Sequence, residues 1–363
     1  QISLVFTALL LAYAPGAIIC GRLADRYGPR RVIVVAAVLI GFGFGLSSRA
    51  NGLGWLMFDY SMVGLGVSAT LGLPTATVQR WFVRHRGLML GVVAAGVGLG
   101  TIVFSPLTHY LITRFGWRDA FLFLGIIIGA MVATGASAIV HSPEKKGLHP
   151  YGEEPSIPNL SIQGHNSNRD MTVFRAMRTG SFAYLLAISA ISTLPGLFLL
   201  SHLVAYVTDK GISSGAAAGA LGLMGAFNVI GRLALGPLGE RMGWMRTFGF
   251  SCFACALATL WLIVVTELWM LYVYAVIYGF FWGGRLPPFF ASVAWLFGTA
   301  SLAELIGFTL AASVVVGAVA PFLAGFVFDQ TGSYLLALIA SVAFFAVGGI
   351  LSLRIRPPKP HSP

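Results

Sequence analysis

Two arginines lie inside apolar runs of the sequence, Arg232 within 214–235 and Arg285 within 268–294. A guanidinium at mid-membrane costs about 2.5–3.5 kcal/mol on insertion scales, so it normally faces a partner or a wet cavity. Neither run carries an acid; Glu240, Glu267, Glu304 and Asp329 fall in loops or at span edges. Cations without protein counter-ions point to an anionic ligand, and a planar guanidinium meets a carboxylate through two parallel hydrogen bonds. Asn228, four residues before Arg232 and hence on the same helical face, offers a hydrogen bond to such a ligand or to a neighbouring helix. Tyr278, Trp282 and Arg285 recur at i, i+4, i+7, which places two aromatic rings beside the cation. Gly283-Gly284 and Pro287-Pro288 around them loosen the helix, as a gate requires.

Each of these residues also has a structural reading. Arg232 lies near the end of its run and can snorkel toward the interface. Arg285 can be held by an aromatic face or a carbonyl. His202, with Tyr206 four residues on, is a candidate proton or substrate contact, because histidine is the side chain suited to proton exchange, or else an interfacial anchor. Asp59, the single acid inside any run rather than at its edge, is seven residues from its start and is expected to be solvated. Cys252-x-x-Cys255 has redox or metal spacing, but without a second ligand pair it reads as two small apolar residues. No metal site, no cofactor and no acid–base pair or nucleophile is expected within the spans, so the chain does not read as an enzyme.

The elements that must position these residues are membrane helices. The 363 residues are 57% hydrophobic and 10% charged, against roughly 25% charged in soluble domains. Eleven apolar runs reach the length of about 20 residues that a spanning helix needs: 2–20, 32–48, 53–76, 87–111, 119–140, 181–206, 214–235, 247–265, 268–294, 305–327 and 335–353. A membrane β-barrel would show alternating segments of about 10 residues instead. The net charge of +11 resides in the loops. The loops sharing a side with 21–31 hold 17 Lys and Arg, and the opposite loops hold 4. That asymmetry is the positive-inside pattern; it removes nucleic acid as a partner, leaves the lipid bilayer, and places the loop at 21–31, the central loop and the C-terminus in the cytoplasm of an inner or plasma membrane.

Composition and a repeat divide the chain into an N-terminal bundle (1–140), a Pro-, Gly- and Ser-rich linker (141–180), a C-terminal bundle (181–353) and an unstructured tail (354–363). Within the linker, 171–178 is expected to form a short surface helix. The loop Gly21-Arg22-Leu23-Ala24-Asp25-Arg26-Tyr27-Gly28-Pro29-Arg30-Arg31 recurs 215 residues on as Gly236-Pro237-Leu238-Gly239-Glu240-Arg241-Met242-Gly243-Trp244-Met245-Arg246. The same offset pairs Gly64 with Gly279, Phe82 with Phe297 and Pro106 with Pro321, so one bundle is duplicated in parallel. The span at 181–206 has no counterpart within the chain, and the expectation is eleven spans of a twelve-helix protein, the first helix missing.

The loop at 21–31 with its copy resembles the signature loop of the major facilitator superfamily. WFVRHRGLMLGVVAAGVGLG (81–100), FGWRDAF (115–121), SHLVAYVTDKG (201–211), GAFNVIGRLALGPLGERMG (225–243) and DQTGSY (329–334) resemble the monocarboxylate transporter and oxalate/formate antiporter group. The resemblance implies two homologous six-helix bundles around a central cavity and a secondary active transporter, expected to work as a monomer by alternating access. It implies a small carboxylate as substrate with protons as co-substrate, or alternatively formate/oxalate-type exchange or a dicarboxylate. It assigns Arg232 to the substrate carboxylate. Animal monocarboxylate transporters carry Asp where this chain has Asn228, so their proton route is not present in that form. The lysine of the eleventh helix of oxalate/formate antiporters is also absent from 305–327. Asp25, Arg26 and Arg30, with Glu240 and Arg241 in the copy, are expected to gate the transition.

Overall fold

The computed structural model describes residues 2–152 and 171–355, so the tail and most of the linker lie outside the described residues. Its helices are α1 (Ile2–Tyr27), α2 (Pro29–Ser47), α3 (Leu53–Trp81), α4 (Arg86–Ala138), α5 (Val173–Met177), α6 (Gly180–Asp209), α7 (Ser214–Met242), α8 (Trp244–Ile263), α9 (Leu268–Gly284), α10 (Leu286–Phe297), α11 (Leu302–Thr331) and α12 (Leu335–Arg354). Among the described residues nine helices are individually long and apolar enough to cross a membrane. The difference from eleven runs has two physical causes. The runs at 87–111 and 119–140 join as the arms of α4, bent where Gly116 takes φ 82°. The run at 268–294 is interrupted at Arg285, because Pro287 and Pro288 have no N–H to return to Gly283 and Gly284. The axis still carries through, since Arg285 keeps helical angles and donates to the Phe281 carbonyl at 3.1 Å. The expected short helix at 171–178 is α5.

The offset of 215 residues maps α1 onto α7, α2 onto α8, α3 onto α9 with α10, and the two arms of α4 onto α11 and α12. Even the turns match. Gly28 (φ 93°, ψ 146°) precedes α2 and its mate Gly243 (φ 95°, ψ 139°) precedes α8, in a region that strains any side chain. Within each half α1 packs on α3 as α7 packs on α9, and α2 packs on α4 as α8 packs on α12. Two seams join the halves, α1 against α11 and α4 against α7. They are built on bare backbone: a Cβ on Gly87 would run into the Gly236 carbonyl, and a Cβ on Gly236 into that of Gly87. Small residues of this kind let membrane helices approach closely.

The largest buried cluster lies at the end of the molecule that carries the basic loops, here called the positive end. There Leu73 and Leu90 of the first half pack in one core with Phe182, Phe297 and Ile306 of the second. The linker ends dock at the same end: the Tyr151 amide donates to the Trp81 carbonyl at 2.8 Å, and the Met171 amide to the Phe297 carbonyl at 3.1 Å. The halves are therefore closed against each other at the positive end.

Candidate functional site

Arg232 sits deeper than the hydropathy of its run suggests. α7 continues to Met242, so the side chain departs about 15 Å from the helix end, at 1.5 Å per residue. It is 7% exposed. One terminal guanidinium nitrogen donates to the Ala94 carbonyl of α4, across the seam between the halves, and Nε is buried without a partner. Asn228, one turn nearer the opposite end, is only partly buried and packs against Gly283.

Arg285 is 4% exposed. It donates to Ser192 Oγ of α6 at 2.8 Å and lies over the Trp282 ring at 3.8 Å, with Phe248 5.9 Å away; its Nε is also unpaired. The rings continue as a stack. Trp282 and Tyr278 are 5.9 Å apart and 12° from parallel, and Tyr278 and Tyr274 are 5.2 Å apart, both phenol hydroxyls buried without partners. Trp282 keys into α6, where a Cβ on Gly196 would fall within the indole. Among the described residues no acid pairs with either arginine, and the single ion pair is elsewhere. Arg232 and Arg285 are thus both buried, each with Nε unpaired, and no acid among the described residues compensates either charge.

Other candidates stand apart. His202 lies ten residues beyond Ser192 on α6, about 15 Å toward the opposite end. There its Nδ1 is 3.3 Å from the Tyr334 hydroxyl, among the rings of Phe198 and Tyr334. Asp59 departs from the solvated expectation: it is 2% exposed, with Oδ1 unpaired, on a stretch of α3 whose backbone lies against Gly43 of α2. Cys252 and Cys255 are free and buried on α8, and no metal-binding cluster occurs among the described residues.

The two copies of the loop motif do the same thing to opposite partners. Asp25 Oδ2 accepts from the Glu304 amide at 2.9 Å and Oδ1 from the Ala303 amide at 3.3 Å, capping α11 of the other half. Glu240 Oε1 accepts from the Gly87 amide at 2.6 Å, at the start of α4. Each acid thus meets the positive end of a helix dipole across a seam. Asp25 is held by Arg80 at 2.6 Å, and Arg80 also donates to the Thr299 carbonyl and reaches the ring nitrogens of His141 at 3.2 and 3.3 Å. Arg26, Arg30 and Arg241 are exposed and make no ion pair among the described residues.

A family model, Major Facilitator Superfamily, matches residues 1–294. The chain belongs to the major facilitator superfamily. Its fold is that of the Escherichia coli fucose:proton symporter FucP, with a TM-score of 0.74 at 15% identity over 97% of this chain and 90% of that one. The proton:xylose symporter XylE gives 0.69 at 14% identity, covering 97% of this chain and 83% of that one. Curated relatives include monocarboxylate transporter 13 of Bos taurus, 27% identical across 93% of this chain and 76% of the relative. The oxalate:formate antiporter of Oxalobacter formigenes is 25% identical across 93% of this chain and 79% of its own. This superfamily member is a transporter and not an enzyme.

Sequence reasoning missed Ser192, the Ala94 carbonyl and Arg80. A serine in a membrane helix and a backbone carbonyl carry no distinguishing signal. Arg80 did carry one: it lies in the last turn of α3, and its repeat mate is neutral Trp295, so the charge is specific to the first half.

Proposed function

We propose that this transporter moves a small monocarboxylate of the lactate or pyruvate kind by alternating access, with a proton as co-substrate. The observation that carries the reading is the pair of buried guanidiniums, each with an unpaired Nε and neither with an acid partner. The substrate carboxylate replaces the Ala94 carbonyl on Arg232. Arg285 supplies the second charge, Asn228 a hydrogen bond, and Tyr278 and Trp282 an apolar wall. The two relatives described above are named for monocarboxylate and for oxalate and formate, which supports the carboxylate class. The excess of Lys and Arg in the loops of the positive end supports an orientation with that end in the cytoplasm of the plasma membrane.

A second reading, exchange of one anion for another, is favoured by the missing counter-ion itself. An empty carrier must reorient with two uncompensated buried charges, whereas an anion on board in both directions neutralises them. Oxalate would use both arginines at once. Proteoliposomes with labelled lactate, pyruvate, formate and oxalate distinguish these readings. Symport gives uptake driven by a pH gradient into vesicles without internal anion; exchange gives counterflow only. Arg232→Ala and Arg285→Ala are each expected to lower uptake about 10- to 100-fold, the loss of a charge-assisted hydrogen bond. Parental uptake by both variants would refute the carboxylate site.

A further inference from the structure

We propose that the corner between α1 and α2 at the positive end is a binding site for a phospholipid with an anionic head group. A cavity of about 780 Å³ opens there between residues 26–31 and the chain leaving α4, and Arg26, Arg30, Arg31 and Lys145 line it. None of these four cations forms an ion pair among the described residues. α2 starts at the same cavity with no side-chain cap on its first turn, so the positive end of its dipole adds to the field. The cavity adjoins a second one of about 440 Å³, and Tyr27 and Arg31 line both. This second space is apolar, walled by Ile19, Leu23, Val35 and Leu39, and runs along α1 and α2 toward the membrane interior.

A basic chamber at the membrane surface leading into an apolar groove matches one amphiphile: phosphate in the chamber, acyl chain in the groove. A soluble phosphate fits only the first, and a zwitterionic lipid leaves the excess cations unmatched.

The test is native mass spectrometry of the purified full chain, delipidated and titrated with phosphatidylglycerol, with phosphatidylcholine of the same acyl chains, and with inorganic phosphate. Phosphatidylglycerol is expected to bind in preference. The double variant Arg30→Gln/Arg31→Gln should weaken it roughly thirtyfold, at about fivefold for each basic residue at an anionic surface. Val35→Trp fills the groove from a position that is 60% exposed; it should weaken the lipid while leaving inorganic phosphate binding unchanged. Should the charge variant fail to fold, Val35→Trp alone decides. Equal binding of the two lipids, undiminished phosphatidylglycerol on either variant, or displacement by inorganic phosphate with no effect of Val35→Trp would overturn the proposal. None of these readings involves transport, so the carboxylate reading can fail without it.

Discussion

At the residue scale the question is what a buried guanidinium provides that a buried ammonium does not. Arg232 bridges the seam through one terminal nitrogen and leaves Nε free, so a carboxylate arriving there can take two parallel hydrogen bonds. Lysine offers the same charge as a point without the fork. Arg232→Lys is therefore expected to keep the protein folded and yet lose about tenfold or more in uptake, read as kcat/KM in proteoliposomes. Parental rates in the lysine variant would show that charge alone suffices. His141 makes a pH prediction with a defined sign. Burial, with Arg80 of α3 and Lys145 of the following turn, pushes its imidazolium down to about 4, Glu144 opposing weakly. The folded protein thus holds it neutral, accepting from Arg80, which in turn holds Asp25. The stability this contributes is fully present above the ordinary value near 6.5 and is lost as pH falls from there toward 4. The melting temperature of His141→Gln should fall less than that of the parent over that window; parallel curves would remove His141 from the latch. The arginines and their aromatic neighbours were legible in the sequence, because a charge inside an apolar run contradicts its surroundings. Their partners were not: Ser192 lies 93 residues from Arg285 and Ala94 lies 138 from Arg232, and nothing local marks either.

Helix ends add a polar connection between the halves to the packed seams of the helix bodies. Asp25 satisfies two amides at the start of α11 and Glu240 one at the start of α4, so each half caps a helix of the other. The ion pair with Arg80 orients Asp25 but does not replace the cap. From this follows an asymmetric expectation for a charge swap. Asp25→Arg/Arg80→Asp restores opposite charges while placing a cation at the positive end of α11, so transport should stay as low as in Asp25→Ala. Asp25→Asn keeps a capping oxygen and should recover part of the activity. Full rescue by the swap would show that the ion pair alone matters. The repeat made the two loops visible as a matched pair from sequence. It could not reveal which amides they cap, since those belong to helices whose starts lack any capping side chain of their own.

For the whole molecule, the closed positive end and the buried arginines are one fact. The seam held by the Asp25 and Glu240 caps brings α7 against α4, and that contact supplies the Ala94 carbonyl to Arg232. If the halves rock about this site, releasing the caps should expose it to the other side. Asn228 is the natural reporter, partly exposed, one turn from Arg232 and beside Gly283. Background labelling is limited, because Cys252 and Cys255 are buried and only Cys20 is partly exposed, so Cys20→Ala gives a usable parent. In that parent, an impermeant thiol reagent is expected to label Asn228→Cys from the side opposite the positive end, with substrate slowing the reaction. Adding Asp25→Ala should lower that labelling and raise labelling from the positive end. Two bundles that pivot about a shared site have no other way to respond to the loss of a cap at one end. Labelling that is the same from both sides, or indifferent to Asp25→Ala, would mean that the caps hold the fold together without governing access to the arginines.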